Sequence, residues 1–359
     1  MSTHNNQAND LYQGLPNLKI NDKNINYVKS TTVLGLLIDD DLTFKKHADK
    51  KLQQCWHTWY KITKNSTRLY GLNISSLVIL FKTVVLTKLL YAAPVWFKDN
   101  IQRFKKFFSR VCLKISGATH HPSQHTVLLA AGLEPLTVHC DVITTKFILK
   151  ALHSDPNMRS MILQIEGERN HPFHHHIVLA KKFLQHNTIS MSNFRNRNLP
   201  ELSDYNEIYT HYTKEEMGAF KRVLWKNCIT TEADKKLIDL FTLTSFSGSS
   251  LNTTNHKMLF PRTSKRITDT KVMDLLHGHS LNFNSFQYTI GEVLSPACNS
   301  CSVDDDNYHQ LMDCVKFNST YRDPLSDLQP TQNIFLSVIL DSNKEQLLCF
   351  RKMAQIIIN

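Results

Sequence analysis

The sequence contains no apolar run long enough to cross a membrane by itself. Its most apolar stretch, LVILFKTVVLTKLLYAAPVWF at 77–97, is interrupted by Lys82 and Lys88, whereas a membrane span needs about 20 apolar residues. The first residues, MSTHNNQANDLYQG, lack the apolar centre of a secretory signal. These absences predict a buried helix at 77–93, no membrane partner, and an intracellular protein, either nuclear or cytoplasmic.

The chain also lacks the cysteine pattern of a disulfide-stabilised protein and the usual motifs of nucleotide-binding or hydrolytic enzymes. There is no phosphate loop, no dinucleotide fingerprint and no GxSxG elbow. Most of the cysteines occur singly within apolar stretches, where a reduced, buried thiol is the usual occupant. These single cysteines are Cys55, Cys112, Cys140, Cys228 and Cys349.

Acidic residues are fewer than basic ones, 31 against 42, which gives a formal net charge of +11. Such an excess favours an anionic partner, nucleic acid first and an anionic membrane second. The alternative is a basic but merely solvated surface. The apolar fraction of 42% is ordinary for a globular protein, and 359 residues suffice for two or three packed units.

Apolar periodicity predicts a mainly α-helical fold with a short N-terminal β-hairpin. Short strands are predicted in 18–40, with a turn at Asn21-Asp22 and a β-branched run at 31–33 that leads into the apolar 34–38. Helices are predicted from about 45 to Gly71, from Ser75 or Ser76 to Pro94, at 101–117, 123–131, 135–152 and 268–277, and one short helix around 178–184.

The same periodicity predicts an order of units along the chain. We expect a loose N-terminus at 1–16, strands and a helical bundle at 17–153, a polar linker at 154–214, a second helical unit at 215–290, a Cys/His tail at 291–325, and a C-terminal helix or tail at 326–359.

The segment CNSCSVDDDNYHQLMDC, at 298–314, has the composition of a zinc site. Zinc takes four tetrahedral ligands, and a Cys-x2-Cys turn presents two thiolates to one ion. The predicted ligands are Cys298, Cys301, His309 and Cys314. Because all four positions come from the protein, the zinc is expected to be structural. The alternative is three buried thiols and an unrelated histidine, and the aspartates at 304–306 are expected to face solvent.

Two other polar clusters are interpreted as structural. LLIDDD at 36–41 is similar to the apolar-x-Asp-Asp hairpin of polymerase palms, but two-metal catalysis needs carboxylates from at least two strands. The preceding 38 residues offer only Asp10 and Asp22, in polar turns, so we expect Asp39 to end a strand and cap the next helix. HPFHHH at 171–176 is expected to be a loop of surface histidines.

A basic surface is predicted between residues 45 and 114, where Lys and Arg alternate with aromatic residues. Lys and Arg neutralise phosphates, and exposed aromatic rings stack on bases. Trp59 and Phe104 fall on the apolar stripes, so phosphate contact by the basic residues alone is expected. The predicted contacts are Lys45, Lys46, Lys50, Lys51, Arg103, Lys105, Lys106, Arg110 and Lys114.

Several segments, in order, resemble reverse transcriptases of non-LTR retrotransposons, close to insect jockey-like and ribosomal-DNA-type elements. TTVLGLLIDDDLTFKKHADK resembles the LGV-x-LD-x-LTW-x-H segment that follows the palm, and YAAPVW at 91–96 resembles a Tyr-Gly-Ala-x-x-Trp pattern that ends a thumb helix. LLAAGLEPL resembles an AG-x-PPL step. HGHSLNFNSFQYTIGEVLSPACNSC with HQLMDC resembles the family's C-terminal Cys/His ending. The similarity is collinear over 17–320.

The resemblance implies the carboxy-terminal portion of a polyprotein, with a thumb-like helical bundle and a zinc-knuckle-like tail. The family's endonuclease and its palm, which holds the catalytic Mg²⁺, lie upstream of the similar segments, and 154–214 is too short and poor in acids for a ribonuclease H domain. Ala92 stands where glycine is usual.

Three functions follow from the resemblance. We expect a fragment that binds template RNA or target DNA, with the upstream polymerase portion of the same element as a further partner, and that catalyses nothing alone. The alternatives are an active RNA-directed DNA polymerase and a degenerate remnant that folds poorly.

Overall fold

The structure is a computed structural model that describes part of the chain. The described residues are 19–21, 23–24, 28–67, 69–117, 128, 133–154, 156–169, 171, 173–187, 214–231, 258–277, 281–317 and 344–358. Of these residues 69% are helical, and antiparallel strands occur near the N-terminus. The mainly α-helical class with an N-terminal hairpin is therefore confirmed.

The strands form two small antiparallel pairs. The first joins β1 (Lys19–Ile20) to β2 (Lys23–Asn24), and the second joins β3 (Ser30–Val33) to β4 (Leu36–Asp39). The apolar run at 34–38 does not simply continue the preceding strand, because the chain reverses at Leu34-Gly35. Their φ angles of 48° and 82° are both positive, as a two-residue hairpin turn requires.

Eleven α-helices lie in the described part of the chain. They are α1 (Lys45–Thr63), α2 (Ile74–Leu80), α3 (Leu86–Leu89), α4 (Ala93–Ser116), α5 (Leu136–Ser154), α6 (Pro156–Ile165), α7 (His174–His186), α8 (Lys214–Thr231), α9 (Arg266–His277), α10 (Asn284–Thr289) and α11 (Lys344–Ile357). A π turn, Phe81–Val85, joins α2 to α3.

The helix boundary at Pro94 differs from the prediction. The sequence suggested that Pro94 ends the apolar helix, but it lies in the first turn of α4, where proline's missing N–H costs no hydrogen bond. The chain turns at Ala92, which has a left-handed φ of 54°. That backbone geometry favours glycine.

Helices α1 to α5 form a bundle with an aromatic core. Trp59 meets Phe81 edge to face, with ring centroids 5.7 Å apart, and Phe97 stacks on Phe104 at 5.4 Å. As predicted, the side chains at the three- and four-residue spacings of α1 and α4 face inward. Helix α5 packs on α4 and α7, and α8 packs on α5 and α7.

The segment predicted to be a polar linker contains two helices in its described part. Helices α6 and α7 both pack against α5, and the expected short helix around 178–184 lies within α7. Leu179, Phe183 and Leu184 are buried there. The weak periodicity of the sequence concealed α6, because a helix of ten residues gives few repeats.

The helices of the predicted second helical unit, 215–290, pack against two different parts of the structure. Helix α8 belongs with α5 and α7, whereas α9 packs on α11 and also contacts the first bundle. Arg266 of α9 donates to the carbonyls of Lys114 and Ile115 at the end of α4, and Asp269 accepts from the Ile74 N–H at the start of α2. Each charge therefore lies at the helix end whose dipole it stabilises.

Some predictions fall outside the described residues. These are the loose N-terminus at 1–16, nearly all of the helix at 123–131, 188–213 of the linker, 232–257 of the second helical unit, 318–325 of the Cys/His tail and 326–343 of the C-terminal helix or tail.

Among the described helices none alone meets the length and hydropathy of a membrane span. Ile74–Leu89 and Ala93–Ser116, bent by 108°, meet them only as a pair.

Candidate metal centre and candidate nucleic-acid interface

The structure brings Cys298, Cys301, His309 and Cys314 together. Their ligand atoms all lie within 4.8 Å of one another. The Cys314 sulfur lies 3.9 Å from the sulfurs of both Cys298 and Cys301. Two sulfurs bound to one tetrahedral zinc at about 2.3 Å would be separated by about 3.8 Å, so these spacings suit one ion.

The first two thiols lie on a tight turn. The Cys298 N–H donates to the Val303 carbonyl, and the Ser302 N–H donates to the Cys298 carbonyl at 2.9 Å. Ser302 takes a left-handed φ of 57°, which bends the chain back toward Cys298. The turn therefore holds Cys298 and Cys301 on one side of a short hairpin, where Ala297 pairs with Asp304.

A π turn supplies the other two ligands. His309 begins the turn His309–Asp313, and the Cys314 N–H donates to the His309 carbonyl at 2.7 Å. An ideal α-helix would separate residues five apart by roughly 140°, whereas the five-residue hydrogen bond of a π turn places them nearly above one another. The irregular turn thus reconciles the His-x4-Cys spacing with a shared ion.

Asp305 and Gln310, which neighbour the cluster in sequence, connect it by hydrogen bonds to the segment 282–284. Asp305, 5% exposed, accepts hydrogen bonds from the Asn284 N–H and from Gln310 Nε2, and Gln310 Nε2 also donates to the Asn282 carbonyl. The expectation that all three loop aspartates face solvent was wrong for Asp305. Asp306 also has a role, because its carboxylate accepts from the His309 N–H at 2.7 Å.

The side chains fit a zinc ion electrostatically as well. Burial raises the pKa of Cys298, but the Ser300 and Cys301 N–H groups and the His309 ring outweigh it and lower that pKa to about 7. Cys314, buried beside the other thiols, has its pKa raised to about 11. His309 Nε2 is buried with no hydrogen-bond partner in the described part of the chain. A cation would stabilise the thiolates and engage that nitrogen.

Asp39 is engaged in local structure. Its carboxylate accepts from the Thr43 hydroxyl at 2.7 Å and from the Phe44 N–H at 3.0 Å. Burial raises its pKa, but these hydrogen bonds prevail, so the pKa is lower than usual. The carboxylate thus organises the turn that leads into α1, in agreement with the structural interpretation of LLIDDD.

Helices α1 and α4 bring the predicted basic residues onto neighbouring surfaces. The side-chain contacts follow the same order along both helices: Arg103 pairs with Asp49, Trp56 meets Phe107 at 4.8 Å, and Lys114 donates to the Ser66 carbonyl. The helices therefore lie side by side and parallel. We call their joint solvent-exposed surface the α1–α4 face.

The nine predicted residues differ in their environments. Lys45, Lys46, Lys50, Lys105 and Lys106 are exposed. Lys51 lies 5.0 Å above the Tyr91 ring, on the side of α1 that faces away from α4. Arg110 lies over Trp56, 5.7 Å from its ring centroid, and Lys114, half-buried, has its pKa lowered by burial and by Arg266.

Several further residues of this face were not among the predicted contacts. His57, Tyr60, Lys61 and Lys64 are exposed. Steps of three, four or seven residues connect them to Lys46 and Lys50, which places them all on one half of the helix circumference. The helical period of the exposed polar positions is the signal in the sequence that could have added them.

The histidine run was placed incorrectly by the sequence. His174 to His176 form the first turn of α7, and His176 is buried with its ring 5.4 Å from that of Phe173. Burial lowers the pKa of His175 to about 4. These histidines are part of a packed helix start, and the expectation of a surface loop was wrong.

A further titratable cluster, missed by the sequence analysis, joins α8 to the bundle. Glu134 pairs with Lys221 of α8 and lies 3.5 Å from His139. Burial raises the pKa of Glu134, but the charges of His139, Lys221 and Lys82 lower it overall. This arrangement neutralises buried charges and holds α8 against α5.

No protein-family model, curated protein or solved structure matches the chain.

Proposed function

We propose that this chain is a nucleic-acid-binding protein, the carboxy-terminal portion of a reverse transcriptase like those of non-LTR retrotransposons. In this proposal α1 to α5 are the thumb-like bundle, and 291–317 is a zinc-knuckle-like element. The observation that carries the proposal is the charge of the α1–α4 face. Each of its two helices contains a single acidic residue, Asp49 or Asp99, among many lysines and arginines.

The charges are arranged to leave a net positive surface. Asp49, the acid nearest the lysines of α1, pairs with Arg103. Lys46, Lys50 and Lys106 remain exposed. Phosphate contacts by such residues release condensed counterions, so binding should be strong at low salt and independent of sequence.

The zinc is proposed to be structural. Three thiolates and one imidazole would fill a tetrahedral shell and leave no open position for substrate. The loop around the site carries Asp304, Asp306 and Asp313, so its charge disfavours phosphate. We therefore assign nucleic-acid contact to the α1–α4 face and not to the zinc-knuckle-like element.

Binding is tested with the zinc-loaded full chain and a fluorescently labelled 20-nucleotide RNA or DNA, by anisotropy over a series of salt concentrations. Replacing Lys46, Lys50 and Lys106 by Gln should weaken binding at least tenfold and reduce the slope of log K against log salt by about 2–3. The matched control replaces Lys316, Lys344 and Lys352, exposed in the C-terminal part. Equal losses in both triple variants would contradict the assignment.

The rival functions have their own tests. An active polymerase would extend oligo(dT) on poly(rA) in the presence of Mg²⁺, whereas the proposed fragment incorporates nothing. A degenerate remnant would show little helix by circular dichroism and no cooperative melt. Incorporation by the purified chain, or failure to fold, would replace the proposal with the corresponding rival.

A further inference from the structure

Tyr60 is a highly exposed aromatic residue on the α1–α4 face. Its side chain is 66% exposed, although a tyrosine ring carries a large apolar surface. Its neighbour one turn earlier, Trp56, packs against Phe107 and under Arg110. In the described part of the chain the Tyr60 ring meets no other aromatic ring. It is therefore accessible to a planar ligand.

The surroundings of Tyr60 suit a phosphate-linked ligand. Lys46, Lys50, Lys61 and Lys64 are all exposed, and Lys64 directly follows the end of α1. At 100° per residue, Lys46 and Lys64 lie about 40° around the helix from the tyrosine, and Lys50 and Lys61 lie about 80° to 100° from it. From Lys46 to Lys64 this row extends about 27 Å at 1.5 Å per residue. The Arg110 guanidinium, over Trp56, adds a cation beside the row on the α4 side.

The lysine row and the exposed Tyr60 ring together would favour a single strand over a duplex. A row of lysines serves phosphates of either form, but an exposed ring adds binding energy only if a base presents its flat surface. In a duplex the base surfaces are already stacked on one another. Only an unpaired nucleotide would use the ring and the lysine row together.

We propose that Tyr60 is a stacking residue for an unpaired base of single-stranded RNA or DNA whose backbone lies along Lys46, Lys50, Lys61 and Lys64. This inference rests on the proposed function and specifies its ligand. The row of cations sets the position of the strand, and Tyr60 confers the preference for unpaired bases.

The test compares a labelled 12-nucleotide single strand with its blunt-ended duplex in anisotropy titrations of the full chain. Tyr60→Leu should weaken single-strand binding about tenfold, in line with the loss of one stacked base, and leave duplex binding within twofold. Tyr60→Phe should retain the affinity of the parent chain. The matched control is Tyr288→Leu, since Tyr288 is 52% exposed but lies on α10.

A spectroscopic measurement checks the contact itself. A strand that contains 2-aminopurine should lose fluorescence when it binds the parent chain and lose less when it binds Tyr60→Leu. Circular dichroism melts ensure that the variants are folded.

The outcomes separate the two proposals. If Tyr60→Leu leaves single-strand affinity unchanged while the triple lysine variant loses it, the stacking role is refuted and the binding function stands. Equal losses for strand and duplex also refute the role. If the parent chain binds neither form at low salt, both proposals fail.

Discussion

At Gly71 and Gly291 the backbone takes φ values of 102° and 80°, which side-chain-bearing residues rarely adopt. The two positions differ in how much free space surrounds the Cα atom. A Cβ at Gly71 would lie 2.7 Å from the Ser66 Cα, whereas one at Gly291 would meet nothing within 4 Å. Gly71 thus permits a close approach in the turn that connects α1 to α2.

Replacing Gly71 by alanine should destabilise the chain by more than about 2 kcal/mol, because the clash adds to the backbone strain. Gly291→Ala is the control and should cost only about 1 kcal/mol, from strain alone. The measurement is urea unfolding followed by circular dichroism. Equal effects of the two substitutions would contradict the close approach at Ser66.

Burial raises the pKa of Asp141 to about 6, and the charges of Lys98 and Lys182 only partly offset this effect. The folded chain therefore holds this proton to a higher pH than the unfolded chain, whose Asp pKa is about 3.9. Stability is lost as the pH rises from about 4 to about 6, because the unfolded state releases the proton first.

Replacing Asp141 by asparagine should remove the loss of stability between about pH 4 and about pH 6, because asparagine does not titrate. At pH 7 the variant should exceed the parent chain in unfolding free energy by about 3 kcal/mol, from about two pKa units at about 1.4 kcal/mol each, and at pH 4 the two should nearly agree. Urea unfolding at both pH values measures the difference. A variant that is less stable at pH 7 would show that the carboxylate has a stabilising partner.

Among single residues, the sequence predicted the Cys298, Cys301, His309 and Cys314 cluster, which could hold a metal ion, because the spacing of these residues is local and their chemistry is distinctive. It did not predict Asp305 or Gln310, which support the ligands. Their hydrogen bonds reach Asn282 and Asn284 on another segment, and a polar residue in a loop carries no periodicity that would reveal such a partner.

Among the elements, α9 lies between the first bundle and the Cys/His site. Arg266 and Asp269, 3% and 0% exposed, contact the ends of α4 and α2. Farther along α9, the Leu275 carbonyl accepts from Asn307, just before the π turn that holds His309. One helix therefore contacts both parts.

Asn73 joins the start of α2 to the segment that precedes α9. Its side-chain oxygen caps α2 by accepting from the Ser76 N–H at 2.8 Å, and its amide nitrogen donates to the carbonyls of Arg262 and Ser264. The predicted start of this helix, Ser75 or Ser76, lies two or three residues after the cap.

Asn73→Ala should cost about 3 kcal/mol, of which about 1 comes from the cap and the rest from two carbonyls that lose their donor. Asn73→Ser should cost about 2 kcal/mol, because serine also caps helices and only the two carbonyls lose their donor. Thermal and urea unfolding provide the comparison. If serine were as harmful as alanine, the cap would contribute nothing.

The helices themselves were largely predictable, because apolar residues recur at helical spacing through α1, α4 and α5. The π turns that interrupt the regular helical pattern were not predictable. The π turns at Phe81–Val85 and His309–Asp313 shift the hydrogen-bond pattern by one residue. Packing of neighbouring side chains, which the local sequence does not contain, decides whether that shift occurs.

For the whole molecule, zinc should stabilise the C-terminal part. Native mass spectrometry of the full chain should show one bound Zn²⁺, absent from Cys301→Ser but present in the control Cys228→Ser. Because metal binding adds to folding free energy, chelation should lower the melting temperature of the parent chain by several degrees and leave Cys301→Ser unchanged. A parent chain that carries no zinc would refute the metal assignment.

The arrangement of the whole chain was the least predictable level. Helix α8, assigned to a second unit, joins the first bundle through Lys221 and Glu134, while α9 belongs with α11. Such assignments depend on contacts between residues about 90 to 190 positions apart, for example Asn73 with Arg262. A local pattern contains no information on them.

Ultraviolet crosslinking of the zinc-loaded full chain to a labelled single-stranded RNA, followed by mass spectrometry of the peptides, tests the central claim most directly. The account predicts crosslinks in peptides of α1 and α4, with Tyr60 among the modified residues. Crosslinks confined to 291–317, or none at low salt, would contradict it.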